Sequence, residues 1–402
     1  MNIKIPSDVQ FIIDCFYNNG YEAFMVGGCV RDSLLNKDPM DYDITTSAPP
    51  EVTEKLFSKT IPTGIQHGTI TVLINNVPYE VTTYRTEGKY IDNRRPDRVD
   101  FVTSIKEDLS RRDFTINAFA YNNKEGLIDY FSGMSDLNKK NIRSVGIAND
   151  RFNEDALRML RAIRFSSQLD FSIEAKTYNA ISINSSLIKN ISHERIRVEI
   201  SKILLSNNPF KGLCMLKDTG ILSRILPELT TKINPNIDLV PNNISCKLVA
   251  LFKNLDIEII SKVLKRLTFD NSTINRTLIL TKHYKDIDNC NSKSDCKRLI
   301  SKVGPENIFY LISLHETIEM INLSTLRNYV NSILDNQDPI YIKDLNIDGN
   351  TLKTELNLIS GKIIGDLLNH LLNLVIDDKI NNDTSSLLIA AKKYNAIKGS
   401  SV

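Results

Sequence analysis

No stretch of the 402-residue sequence reaches the roughly 18 consecutive apolar residues that a membrane helix needs, so no segment reads as a span. Six cysteines (Cys15, Cys29, Cys214, Cys246, Cys290 and Cys296) lie far apart with no C-x-x-C pair, and Lys4 and Asp8 stand where a signal peptide would need an apolar run. A reducing cytoplasm is the expected location. The five histidines are too scattered for a zinc cluster. His315-Glu316 lacks the second histidine of an H-E-x-x-H site, and no His-Asp dipeptide supports a metal phosphohydrolase. Gly361-Lys362 is not a P-loop, because Leu356 replaces its first glycine and Ile363 its hydroxyl residue. Nor is there an excess of one charge: 50 basic against 48 acidic residues give +2, so a polyanion site must be a local patch. Internal repeats and low-complexity tracts are missing too.

What remains is an ordinary folded composition, 42% hydrophobic and 24% charged, on a chain long enough for several packed units. Strand-like runs occur only early, at residues 23–26, 42–45, 69–74, 79–84 and 119–121. From about Phe152 onward apolar residues recur at helical spacing, as in Ala156, Leu157, Leu160 and Ile163, and again in Ile363, Ile364, Leu367 and Leu368. That change of period predicts an α+β protein, an α/β head followed by a long helical remainder. Breaks are expected at Gly146, Asn207-Asn208-Pro209, Asn234-Pro235-Asn236 and residues 289–295.

The chemistry concentrates in the head. Asp41-Tyr42-Asp43 sits on a predicted strand, so both carboxylates share a face, roughly 7 Å apart at the backbone. Paired hard oxygen ligands suit magnesium; an isolated D-x-D is otherwise a solvated acidic edge. Val26-Gly27-Gly28-Cys29-Val30-Arg31-Asp32 reads as a strand ending in two glycines and opening a helix. Backbone N–H groups at Gly28 and the Arg31 guanidinium can meet one phosphate there. Glu80 alternates onto one face with Thr82 and Tyr84, and fits either a third metal ligand or a cross-strand ion pair. Arg111-Arg112 fits a phosphate or ribose contact, or a solvated pair.

Residues 150–165 read as one helix in which Asp155 and Arg158 are neighbours. They could form a surface ion pair worth a few tenths of a kcal/mol. They could also read a base: cytosine and adenine each set an exocyclic amine beside a ring-nitrogen acceptor, matching a carboxylate and a guanidinium. Uracil and guanine set a carbonyl there and would be rejected. Arg161 and Arg164 continue the spacing while winding about 60° per step. Thr86 to Asp100, with Gly88, Asn93, Arg94, Arg95 and Pro96, reads as a mobile loop. His67 reads as structural.

Gly-Gly-x-x-Arg-Asp, Asp-Tyr-Asp, Arg111-Arg112-Asp113-Phe114-Thr115-Ile116-Asn117-Ala118 and Glu154-Asp155-x-x-Arg158, in this order, resemble the bacterial class II CCA-adding enzymes, or tRNA nucleotidyltransferases, of the poly(A) polymerase superfamily. The likeness resumes at residues 343–349 and 361–365. It implies a catalytic nucleotidyltransferase head (1–143) with a mixed sheet, then an elongated all-α neck for base selection (144–206), body (207–296) and tRNA-binding tail (297–402). The implied substrates are tRNA lacking its CCA, CTP and ATP, with Mg2+ as cofactor and no protein partner. On that resemblance Asp41 and Asp43 are catalytic and bind metal, with Glu80 a further candidate ligand. Gly28, Arg31, Arg112, Asp155, Arg158, Arg161 and Arg164 bind nucleotide; for Arg161 and Arg164 an RNA phosphate contact also fits. Members that add only CC carry a shortened loop at the place of residues 86–100, and a full-length one here implies complete CCA addition. Lys362, opening a tail helix, is a candidate for RNA phosphate. Two alternatives stay open: a poly(A) polymerase, and an inactive RNA-binding protein of the same fold.

Overall fold

The computed structural model describes residues 3–88, 90–91, 95–96, 98–230, 232–358 and 361–399. Contacts divide the chain into two compact units, Met1–Ile233 and Asn234–Val402.

The first unit is organised by a mixed sheet. Its strands are β1 (Ala23–Val26), β2 (Ile44–Thr46), β3 (Thr60–Gly64), β4 (Thr69–Ile74), β5 (Val77–Thr83), and, after the short strands named below, β10 (Ala120–Asn122) and β11 (Gly126–Ile128). Their spatial order is β11-β10-β1-β2-β5-β4-β3. Every pairing is antiparallel except β2 with β5, where Ile44 faces Val81. All four residues of β1 are buried, as expected of a central strand covered on both faces. The helix Ser7–Asn18 packs against it through Val9, Ile12, Ile13 and Phe16, an i, i+3, i+4, i+7 stripe. Burying Phe16 contributes about 2–3 kcal/mol, and its ring meets Phe57 edge-on at 5.4 Å. A further cluster joins Phe24, Val26, Tyr84, Ile105, Leu109 and Ala120, fixing the helix Ile105–Ser110 over the sheet.

Three expectations are corrected. The Asp41-Tyr42-Asp43 segment precedes β2 instead of lying in it: Ile44, Thr45 and Thr46 are buried in the ladder, whereas Asp41 and Asp43 are exposed residues ahead of it. The chain is still extended at Asp43, whose carbonyl accepts the Val26 N–H at 3.0 Å. Residues 86–100 are not a plain loop; β6 (Arg85–Glu87) pairs with β9 (Val99–Phe101) and β7 (Tyr90–Ile91) with β8 (Arg95–Pro96). Asn93 and Arg94 lie outside the described residues. Residues 150–165 are not one helix, since Ala148–Glu154 and Leu157–Leu169 are separated by an extended Asp155 (φ −134°, ψ 104°). Its carboxylate accepts the Leu157 N–H at 3.0 Å, the local competition with helical bonding that short acidic side chains offer.

The helix Leu157–Leu169 packs on His193–Leu204 and Pro209–Asp218 to complete this unit. All regular elements of the second unit are helical among the described residues. Among the described residues four of its α-helices begin at side-chain caps, Asn243, Asp270, Ser292 and Asp348. Its C-terminal helices enclose Leu352, Leu367, Leu371 and Leu387.

Candidate functional site

A strand-to-helix turn begins the site. Gly27 caps the helix Gly28–Leu34 at φ 77°, ψ −129°, a conformation open only to glycine, and a Cβ there would lie 2.9 Å from Arg112 Nη1. One turn on, Arg31 is buried and immobilised. Its Nε and Nη2 donate to Asp32 Oδ1 at 2.9 and 2.7 Å, and its Nη1 to Asn117 Oδ1 at 2.7 Å. Asp41 and Asp43 open onto the same cleft. Asp43 presents exposed surface, yet the protein crowding its carboxyl raises it above the usual carboxylate range; Asp41 and Glu80 push the same way and Arg112 opposes them. The Asp41 charge nearby makes ionisation of Asp43 less favourable.

Across the cleft stands a bank of arginines. Asp108, fully buried, receives Arg111 at 2.7 Å and Arg112 at 3.3 Å. Arg161 donates to Asp113 at 2.7 Å; burial raises the Asp113 carboxyl, but Arg161, Asn117 and Arg158 outweigh it and hold it at about 2. Arg164 meets Glu199 at 3.1 Å, and burial together with the charges of Arg161 and Arg31 lowers it to about 10 despite Glu199. Three of these guanidiniums converge on one ring: Arg164, Arg31 and Arg161 lie 4.2, 5.1 and 5.5 Å from the Phe165 centroid. Phe165 is itself braced edge-on by Phe114 at 5.8 Å. A shared aromatic face moderates the repulsion of clustered cations.

The break at Asp155 decides a pairing that helical spacing suggested differently. Arg158 donates to Glu154 at 2.6 Å and to the Arg111 carbonyl at 3.0 Å. Asp155 receives Arg195, from the helix His193–Leu204, at 2.8 and 3.3 Å.

Together these groups line a cleft of about 580 Å³ with eight arginines against five aspartates, the local patch that a net charge of +2 conceals. Gly28, Arg31, Asp41, Asp43, Arg112, Asp155, Arg158, Arg161 and Arg164 all face it, and Glu80 does not. Glu80 does sit beside Asp43, since β5 runs parallel to β2 in the register Ile44 to Val81. Among the described residues no group of three or more potential metal ligands is assembled. Sequence reasoning named Gly27 within the glycine doublet without its conformation, and missed Phe165 and Arg195. A positive φ before the helix could have been suspected at Gly27 from the doublet; nothing in the local pattern marks the other two. His67 also reaches the cleft, where its carbonyl accepts from Arg85. His315 and Glu316 lie elsewhere, paired with Asp288 at 2.9 Å and with Arg327.

Known families match the chain in series. The model described as Poly A polymerase head domain covers residues 23–143, that described as "Probable RNA and SrmB- binding site of polymerase A" covers 170–233, and one for tRNA nucleotidyltransferase domain 2 covers 243–391. The CCA-adding enzyme of Ligilactobacillus salivarius (strain UCC118) is 38% identical over 401 residues, spanning 95% of each chain. That of Pediococcus pentosaceus is 39% identical over 96% of this chain and 97% of its own. Among solved structures, the Bacillus stearothermophilus CCA-adding enzyme in complex with CTP superposes with a TM-score of 0.85 at 27% identity, covering 98% of both chains. The Thermotoga maritima CCA-adding enzyme complexed with tRNA-CCA shares the fold, with a TM-score of 0.71 at 22% identity over 98% of this chain and 97% of that one. No single helix among the described residues is long and apolar enough to cross a membrane. By sequence along nearly its whole length and by fold, the chain belongs to the CCA-adding enzyme family, the tRNA nucleotidyltransferases.

Proposed function

We propose that this chain adds C, C and A to the 3′ end of tRNA from CTP and ATP, without a nucleic-acid template, releasing pyrophosphate at each step. The observation that carries the reading is one cleft holding a paired carboxylate, a glycine turn, a bank of arginines and an Asp155–Arg158 corner. Each part has a task in nucleotidyl transfer, where positioning and charge stabilisation supply most of the rate.

The Gly27–Gly28 turn lets backbone approach a triphosphate, and Arg31 and Arg112, fixed by Asp32, Asn117 and Asp108, neutralise it. Among the described residues Arg112 Nε and Arg164 Nε are buried without a hydrogen-bond partner, which fits donors reserved for a ligand. Asp41 and Asp43 are hard oxygen donors whose mutual repulsion a cation would relieve, so they fit divalent metal, and we assign Mg2+ to them. Bound there, the metal would supply activation of the attacking 3′-hydroxyl and stabilisation of the leaving pyrophosphate. Asp155 and Arg158 read the base, accepting from the exocyclic amine and donating to the ring nitrogen of C or A. Arg161 and Arg164 extend the positive wall. The helical second half holds the tRNA by its backbone and shape. Six free cysteines support residence in a reducing cytoplasm.

The purified chain, given a tRNA ending before CCA and all four nucleotides with Mg2+, should extend it by three residues and stop. Repeated addition of A would establish the poly(A) polymerase reading instead. Absence of any extension would leave an RNA-binding protein.

A further inference from the structure

The helix His193–Leu204 carries two residues one turn apart that hold opposite parts of the cleft: Glu199 anchors Arg164 at 3.1 Å, and Arg195 grips Asp155. The second contact bears directly on base choice. A carboxylate has about four acceptor positions. On Asp155, Oδ1 takes the Leu157 N–H at 3.0 Å and Arg195 Nη1 at 3.3 Å, while Oδ2 takes Arg195 Nη2 at 2.8 Å. One acceptor position remains, on Oδ2. The Asp155 side chain is 16% exposed and that of Arg195 29%, so both reach the cleft without being free in solvent.

We propose that Arg195 is a specificity-determining positioning residue: its two-pronged grip fixes the plane of the Asp155 carboxylate so that a single lone pair faces the incoming base. A group presented this way can be satisfied only by a donor. The amine of cytosine or adenine provides one; the carbonyl of uracil or guanine brings an acceptor against an acceptor, in a place from which the carboxylate cannot turn aside. Without Arg195 the carboxylate keeps only the Leu157 N–H and rotates about its side-chain bonds, so the wrong bases no longer meet a fixed acceptor. The fork geometry matters as well as the charge, since only a guanidinium spans both oxygens. This inference rests on the assignment of Asp155 as the base reader.

The test compares kcat/KM for CTP against UTP, and for ATP against GTP, in Arg195→Ala, Arg195→Lys and Asp155→Ala. Arg195→Ala should lower both discrimination ratios by about 10–100-fold, the worth of a hydrogen bond to a charged group, while KM for the tRNA acceptor stays unchanged. Arg195→Lys should fall between, because one ammonium keeps the charge and loses the fork. A uniform loss of kcat for all four nucleotides, with both ratios intact, would overturn the proposal by making Arg195 a structural or phosphate contact. If Arg195→Ala does not fold, Arg195→Lys decides: wild-type ratios there reject the role of the fork. Asp155→Ala separates the two layers. Lost discrimination in Asp155→Ala with both Arg195 variants unaffected removes only the present proposal, whereas retained discrimination in Asp155→Ala removes the base-reading assignment itself.

Discussion

Replacing Asp113 with Asn removes a buried charge around which the arginine bank is arranged. Its Oδ1 accepts from the Phe114 N–H at 2.8 Å and from Asn117 Nδ2 at 3.1 Å, and its Oδ2 from Arg161 Nε and Nη2, each at 2.7 Å. Holding it at about 2 in the folded protein, against an ordinary 3.8, corresponds to stabilisation on the order of 2 kcal/mol. The amide keeps one acceptor but turns its own N–H groups toward another donor set. Arg161 is a third exposed, so water recovers part of its loss, and a total of about 2–3 kcal/mol is expected at pH 7. The sign follows from a depressed carboxylate: its contribution is complete above the unfolded value near 4 and fades as pH falls toward 2. Urea unfolding of Asp113→Asn and the parent chain at pH 7, 5, 4 and 3, read on the transition of the N-terminal unit, should show a gap that is constant down to pH 5 and narrows below 4. Equal stability at pH 7, or a gap undiminished at pH 3, would refute the reasoning.

Three further outcomes are expected. Asp43→Asn should cut elongation by at least about 10³-fold, the scale of several kcal/mol of lost charge stabilisation. The same change should raise the melting temperature at pH 7 in chelator, since a carboxyl raised by burial and Asp41 costs the folded state stability once ionised; this gain should vanish below about pH 4. Gly27→Ala must force a side chain into a glycine-only conformation, costing about 1–3 kcal/mol, and displace Arg112 from 2.9 Å. Its KM for CTP should rise with circular dichroism unchanged; a wild-type KM would show that Arg112 does not contact the nucleotide.

Elements with strong local period were legible in the residues. The runs at 23–26 and 69–74 are strands with the expected bounds, because apolar β-branched and aromatic residues suit a pleated, buried surface. The edge strand Thr60–Gly64 escaped notice because Pro62 interrupts it, a residue sheets tolerate at an edge where no ladder hydrogen bond is owed. The ribbon β6–β9 escaped because its pairing joins residues whose own composition is that of a loop.

The sequence by itself determined the kinds of chemistry present and their order: glycine turn, acidic pair, arginine doublet, acidic-basic corner. Those depend on residue type and on periods of two or about 3.6, which a chain expresses locally. Only the tertiary structure decided which distant partner each arginine meets. Arg161 finds Asp113 across 48 positions, Arg195 finds Asp155 across 40, and Arg31 finds Asn117 across 86. No local period encodes such pairs, because long side chains choose partners by what packing brings within hydrogen-bond reach, and burial then makes an unpaired charge too costly to leave.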